Sequence, residues 1–106
     1  MYENATHLQF RSGELDLAMK ILRAEIVPIL RAQTGLLSLA LIPHAETGQV
    51  TVLSLWTSRS AARAVEYRKE FRQAIEKLDP LLVESRREIR QGPPLSQPIL
   101  STASIN

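Results

Sequence analysis

No cysteine occurs among the 106 residues, which excludes disulfides, thiolate zinc sites, iron–sulfur clusters and cysteine nucleophiles. Aromatic residues are few, one Trp, two Tyr and two Phe, so an aromatic-walled pocket has little to draw on. No apolar run approaches the ~20 residues of a membrane span, and the opening Met-Tyr-Glu-Asn-Ala-Thr-His lacks a basic segment followed by an apolar one. A cytoplasmic protein with no membrane contact is expected. Charge is nearly balanced, at a formal net +2, which gives no reason to expect nucleic acid. Two histidines far apart in sequence, without carboxylates at ligand spacing, make no case for a metal. Phosphate loops, dinucleotide fingerprints and Ser/His/Asp constellations are also missing.

What is present is organised around Gly35–Ser60. Two apolar runs, Leu36 to Ile42 and Val50 to Trp56, flank a polar segment with Pro43 and Gly48, the pattern of a β-hairpin. Along the first run Leu37, Leu39 and Leu41 alternate with Ser38, Ala40 and Ile42. Along the second, Val50, Val52, Ser54 and Trp56 alternate with Thr51, Leu53 and Leu55. Ser38, Ala40 and Ile42 are expected to share a face with Val50, Val52 and Ser54, and Leu37, Leu39 and Leu41 with Thr51, Leu53 and Leu55; neither face carries a charge, whereas a hairpin with one wet side alternates apolar with polar. Both faces are therefore expected to be covered, one by the chain's own helices and the other by a second copy.

The flanking segments complete the pattern. Ala5 to Arg11 alternates as a strand, with Leu8 and Phe10 opposed to His7, Gln9 and Arg11. Ser12 and Gly13 stop it, and Ser12 is placed to cap a helix whose stripe is Leu15, Ala18, Leu22, Ile26 and Ile29. Pro28 predicts a kink or a fresh helical start, and Gly35 a terminator with positive φ before the first central strand. Thr57 or Ser58 caps a second helix, with Ala61, Val65, Phe71, Ile75 and Leu78 as its stripe, ending near Asp79–Pro80. Leu81 to Ile89 reads as a strand whose Glu84, Arg86, Arg87 and Glu88 suit a sheet edge. Residues 1–90 thus form one α+β domain, β-α-β-β-α-β, the ferredoxin-like superfold. Residues 91–106, with Pro93, Pro94 and Pro98 and the apolar Leu95, Ile99 and Leu100, form an extended tail able to lie on a neighbour.

Gly35, the run Leu53-Ser-Leu-Trp-Thr-Ser with alanines at 61, 62 and 64, and the strand ending in Ser12-Gly13 resemble the antibiotic biosynthesis monooxygenase-like family. That resemblance implies a dimeric α/β barrel, built from two ferredoxin-like subunits. It implies one of several activities, including cofactor-independent oxygenation of aromatic polyketides and quinols, and haem degradation. The haem branch relies on an asparagine in strand one and on a tryptophan and a histidine in helix two. Here those positions hold Thr6, Val65 and Ile75, and haem is not expected.

Trp56 and Tyr67 are the candidate walls of a pocket for a small aromatic ligand; packing explains both residues as well. The polar stripe His7, Gln9 and Arg11 is the candidate catalytic set, lining either a substrate cavity or the space between subunits, with general-base and oxyanion roles. His44, near Glu46, reads as a solvated loop histidine. Arg59, Arg63, Arg68 and Arg72, interleaved with Glu66 and Glu70, read as a solvated helix face. Two functions fit: a cofactor-independent monooxygenase of a small phenol or quinol, working as a homodimer, or a non-catalytic dimeric module of the same fold that binds a small molecule or a protein. An unfilled pocket lined by Trp56 and Tyr67 with a polar group facing in favours the first. A space filled with Leu and Ile favours the second.

Overall fold

The structure, a computed structural model, describes residues 1–91, with side chains through Ser85. The tail with Leu95, Ile99 and Leu100 lies outside the described residues. Strand β1 (Tyr2–Phe10) leads to α1 (Leu15–Ile21), a π turn (Leu22–Ile26) and α2 (Val27–Arg31); β2 (Leu36–His44) and β3 (Gln49–Trp56) form the hairpin. Then come α3 (Arg59–Ala64), a 3-10 turn (Val65–Tyr67), α4 (Lys69–Glu76), a second 3-10 turn (Asp79–Leu81) and β4 (Leu82–Gln91). The four strands make one open antiparallel sheet in the order β2-β3-β1-β4. The expected β-α-β-β-α-β order and the edge position of β4 hold, while β2, expected to be central, forms the other edge. No helix among the described residues is long and apolar enough to cross a membrane.

Register decides which residues look at the helices. Ile42 pairs with Thr51, Ala40 with Leu53 and Ser38 with Leu55, so those six share the helix-free face. Leu39 and Leu41 pair with Ser54 and Val52 and lie under the helices with Val50 and Trp56. The sequence reading instead put Ser38, Ala40 and Ile42 on the face of Val50, Val52 and Ser54. Alternation fixes the faces of each strand alone; the hairpin connection sets how two strands pair. A bulge between Leu36 and Ser38 adds a residue to β2 at Leu37, which stands 48% exposed.

Both helical arms are interrupted. Pro28 lacks an amide and would press on the carbonyl four residues back; just before it the Val27 amide donates to Leu22 O, five residues back, and the widened turn accommodates the ring. Met19, Leu22, Ile26 and Leu30 are buried while Ile29 is only partly so, so Leu30, not Ile29, ends the buried stripe. Ser12 does not cap α1, whose N-cap is Glu14 without a side-chain bond. Ser58 does cap α3, accepting from the Ala61 amide at 3.2 Å. That arm breaks at Arg68, whose backbone is extended (φ −77°, ψ 132°). Two polar ties join the arms: Arg68 Nε donates to Gln33 Oε1 at 3.0 Å, and Lys77 Nζ lies 3.0 Å from Glu25 Oε1. Gly35 has φ +97°, and a Cβ there would come within 2.8 Å of Ala61 Cβ, so only glycine lets α3 approach this turn.

Candidate functional site

Between the sheet and the two helical arms lies a cavity of about 270 Å³. Its roof comes from Leu22, Ile26 and Leu30 on one arm and Val65, Phe71 and Ile75 on the other. Its floor is the helix-facing parity of the sheet, which starts from Tyr2 and Trp56 and ends in Phe10 and Val50, all buried. Midway, where the core pattern calls for aliphatics, the strands present Asn4, Thr6 and Ser54 to the cavity. Asn4 pairs with Ser54, and Thr6 with Val52, so the polar groups form one contiguous patch.

Hydrogen bonding in the patch is incomplete. Trp56, 2% exposed, donates its indole Nε1–H to Ser54 Oγ at 3.0 Å, and Ser54 Oγ donates to the Asn4 carbonyl at 3.4 Å. This chain fixes the indole plane at the end of the cavity. The Asn4 side-chain Oδ1 is buried and has no partner. An unmet buried acceptor is costly, and a hydroxyl-bearing ligand relieves the cost. Beyond the patch, the walls are mainly Leu, Ile, Val and Phe, joined by Ser85 and the half-buried Glu66.

Of the residues singled out from sequence, Trp56 lines this cavity. Tyr67 does not: it is 69% exposed, because the chain leaves the helical path beside it and turns its ring outward. His7 and Gln9 belong to the odd parity of β1 and lie on the helix-free face, away from Trp56, since neighbouring strand residues point to opposite sides. Gln9 Nε2 donates to Thr47 O and Phe10 O, tying the hairpin loop to β1. Arg11 Nε donates to Pro80 O at 3.1 Å, bracing the entry to β4. His7 and Gln9 therefore occupy the helix-free side, and the polar stripe does not come together beneath the helices.

His44 is not a free loop residue. It ends β2, and its Nε2 lies 3.2 Å from Thr51 Oγ1, while His7 Nδ1 lies 3.1 Å from the same oxygen. One hydroxyl proton can serve only one imidazole, so with both rings bonded the other must donate its N–H. No group of three or more His, Cys, Asp or Glu side chains able to hold a metal occurs among the described residues.

Asn4, Thr6, Ser54 and Glu66 were missed as site residues. Each left a signal: a polar residue at a position whose periodic neighbours are apolar. Asn4 and Thr6 precede Leu8 and Phe10 on the same parity, and Glu66 follows the buried Ala62 at the four-residue step that keeps a helix face inward.

No protein-family model and no curated protein matches the chain by sequence. Solved structures match it by shape. An antibiotic biosynthesis monooxygenase superposes with a TM-score of 0.77 at 14% identity, covering 89% of this chain and 100% of the other. SnoaB, a cofactor-independent oxygenase from Streptomyces nogalater in a mutant form, gives 0.75 at 13%, covering 86% and 91%. A conserved protein from Methanosarcina mazei Go1 gives 0.75 at 15%, covering 87% and 92%. The chain has the ferredoxin-like α+β fold of the antibiotic biosynthesis monooxygenases.

Proposed function

We propose that a chain folded in this way is a cofactor-independent monooxygenase of a small phenol or quinol, held between the helices and the sheet. The observation that carries the reading is the unfilled apolar cavity of about 270 Å³ with the unmet Asn4 acceptor in its floor. A dry cavity of about 150 Å³ admits benzene, so this one suits one or two fused rings. An electron-rich phenol is its own reductant: phenol plus O₂ gives quinone plus water with no electrons from elsewhere. The protein's part is to orient the ring against Trp56, engage the hydroxyl at Asn4 and keep water out.

The working unit is a homodimer in the cytoplasm, its two sheets packed face to face as a barrel. The support is the helix-free face, where Ala40, Ile42, Leu53 and Leu55 form a patch with Leu37 at its margin. Such contiguous apolar surface marks an interface. The polar patch under Trp56, which packing alone does not require, supports a bound ligand, and oxygen uptake separates the oxygenase from a non-catalytic binding module.

A thermal-shift screen with phenols, naphthols and quinols tests the reading, followed by oxygen uptake on each hit. Binding with oxygen consumption and quinone formation is expected; binding without oxygen uptake would leave the module.

A further inference from the structure

The cavity floor holds more polar groups than the protein itself satisfies. Ser54 is served, since its Oγ accepts from the Trp56 indole and donates to the Asn4 carbonyl. Asn4 Oδ1 is buried without a partner. Thr6, half-buried two positions along the same strand, lines the same floor, and its hydroxyl makes no hydrogen bond among the described residues. We infer that Thr6 is a specificity-determining residue that engages a second oxygen on the ligand, across the ring from the hydroxyl held by Asn4; the inference rests on the reading of this cavity as a phenol or quinol site.

Strand geometry sets the spacing. Residues two apart on a strand rise from the same face about 7 Å from each other, so Asn4 and Thr6 address two points of one ligand. The oxygens of a 1,4-quinol stand at opposite ends of a ring and span such a gap with a hydrogen bond at each end. Those of a catechol lie side by side and reach only one of the two residues. A threonine hydroxyl both donates and accepts, so Thr6 can hold the second oxygen as a hydroxyl in the reduced ligand and as a carbonyl in the oxidised one.

The surroundings make that second contact matter. On β3 the residue paired with Thr6 is Val52, which lines the cavity and offers the hydroxyl no partner. A ring filling the apolar space shuts water away from Thr6. A monohydric phenol then leaves the hydroxyl unpaired, whereas a ligand with a second oxygen at the far side of the ring satisfies it. A site that hydrogen-bonds a ligand oxygen discriminates against the analogue lacking it for this reason. Ser85, the other hydroxyl on the wall, is exposed and keeps its contact with water.

The test is anaerobic calorimetric titration of wild type, Thr6→Val, Thr6→Ser and Ser85→Ala with 1,4-dihydroxynaphthalene, 1,2-dihydroxynaphthalene and 1-naphthol. Excluding oxygen keeps binding apart from turnover. Wild type should bind the 1,4-diol about tenfold more tightly than either of the others, the worth of one added hydrogen bond. Thr6→Val, which removes the hydroxyl and keeps the branched outline, should bring the three ligands to within about twofold of one another. Thr6→Ser and Ser85→Ala should keep the wild-type ranking. A wild-type protein without preference for the 1,4-diol would overturn the assignment, as would a Thr6→Val variant that keeps the preference or a Ser85→Ala variant that loses it. Should Thr6→Val fail to fold, the wild-type ranking and Ser85→Ala still decide. Oxygen uptake is then measured after air is admitted: wild type that ranks the ligands as expected but consumes no oxygen would defeat the oxygenase reading and leave the role of Thr6 standing, whereas wild type that binds none of the three would defeat both.

Discussion

Replacing Asn4 by Leu should make the protein more stable and worse at binding. Leu keeps the branched four-atom outline of Asn and is larger, and the adjacent cavity has room for the difference. It removes a buried acceptor with no partner, whose desolvation costs about 1–3 kcal/mol, and places an aliphatic group diagonally across from Val52 and Trp56 on the cavity floor. Part of that gain is lost because Asn4 is only partly buried, which leaves about 1–2 kcal/mol of net stabilisation. At about 4–8 °C per kcal/mol for a domain of this size, the melting temperature should rise by about 5–15 °C. A ligand hydroxyl that had used Asn4 loses one hydrogen bond, which weakens binding by up to about tenfold. Both effects are measurable on one sample, by thermal denaturation and by ligand titration of fluorescence from Trp56, the only tryptophan in the chain. A lower melting temperature would mean that the amide is doing structural work. Unchanged affinity would mean that the ligand hydroxyl goes elsewhere.

Leu53→Glu should convert a particle of about twice the 11.9 kDa chain mass into monomer or aggregate in light scattering; a wild-type monomer at low micromolar concentration would remove the basis for the barrel. Gly35→Ala should destabilise by about 2–4 kcal/mol, because it sets a side chain at positive φ and against Ala61 and Thr57; a melting temperature within about 3 °C of wild type would refute the close approach. Haemin titration should show no stoichiometric Soret shift, since the resemblance puts Val65 and Ile75, neither able to ligate haem iron, at the haem branch's tryptophan and histidine positions, and a tight complex of one haem per chain would contradict this.

The fold was legible because its signals are local. Uncharged alternation in the hairpin, Gly35 at a positive-φ turn, Ser58 as a cap and charge on β4 each act within a few residues. Pairing between strands was not legible, because it depends on the connection and on the bulge at Leu37. The break in the second arm did leave a trace: its apolar stripe skips from Val65 to Phe71, with Arg68 and Lys69 where an unbroken helix would need an apolar residue. Read as continuous, that arm put Tyr67 beside the pocket. Asn4 escapes because alternation marks the first strand only from Ala5 onward, whereas it begins at Tyr2. The site therefore lay in departures from pattern, and the pattern had to be phased correctly before they stood out.

The π turn before Pro28 also bears on how this chain is compared with others. Closing a bond to Leu22 from five residues ahead stores one residue more than an α-turn holds, without rotating what lies on either side. A relative with an unbroken α-helix here would span the same distance with one residue fewer. An alignment that forbids gaps inside helices would then slip by one position across Leu22–Ile26. On the strand side a one-position slip exchanges Thr6 for His7, which is the difference between a residue in the cavity floor and one on the opposite face.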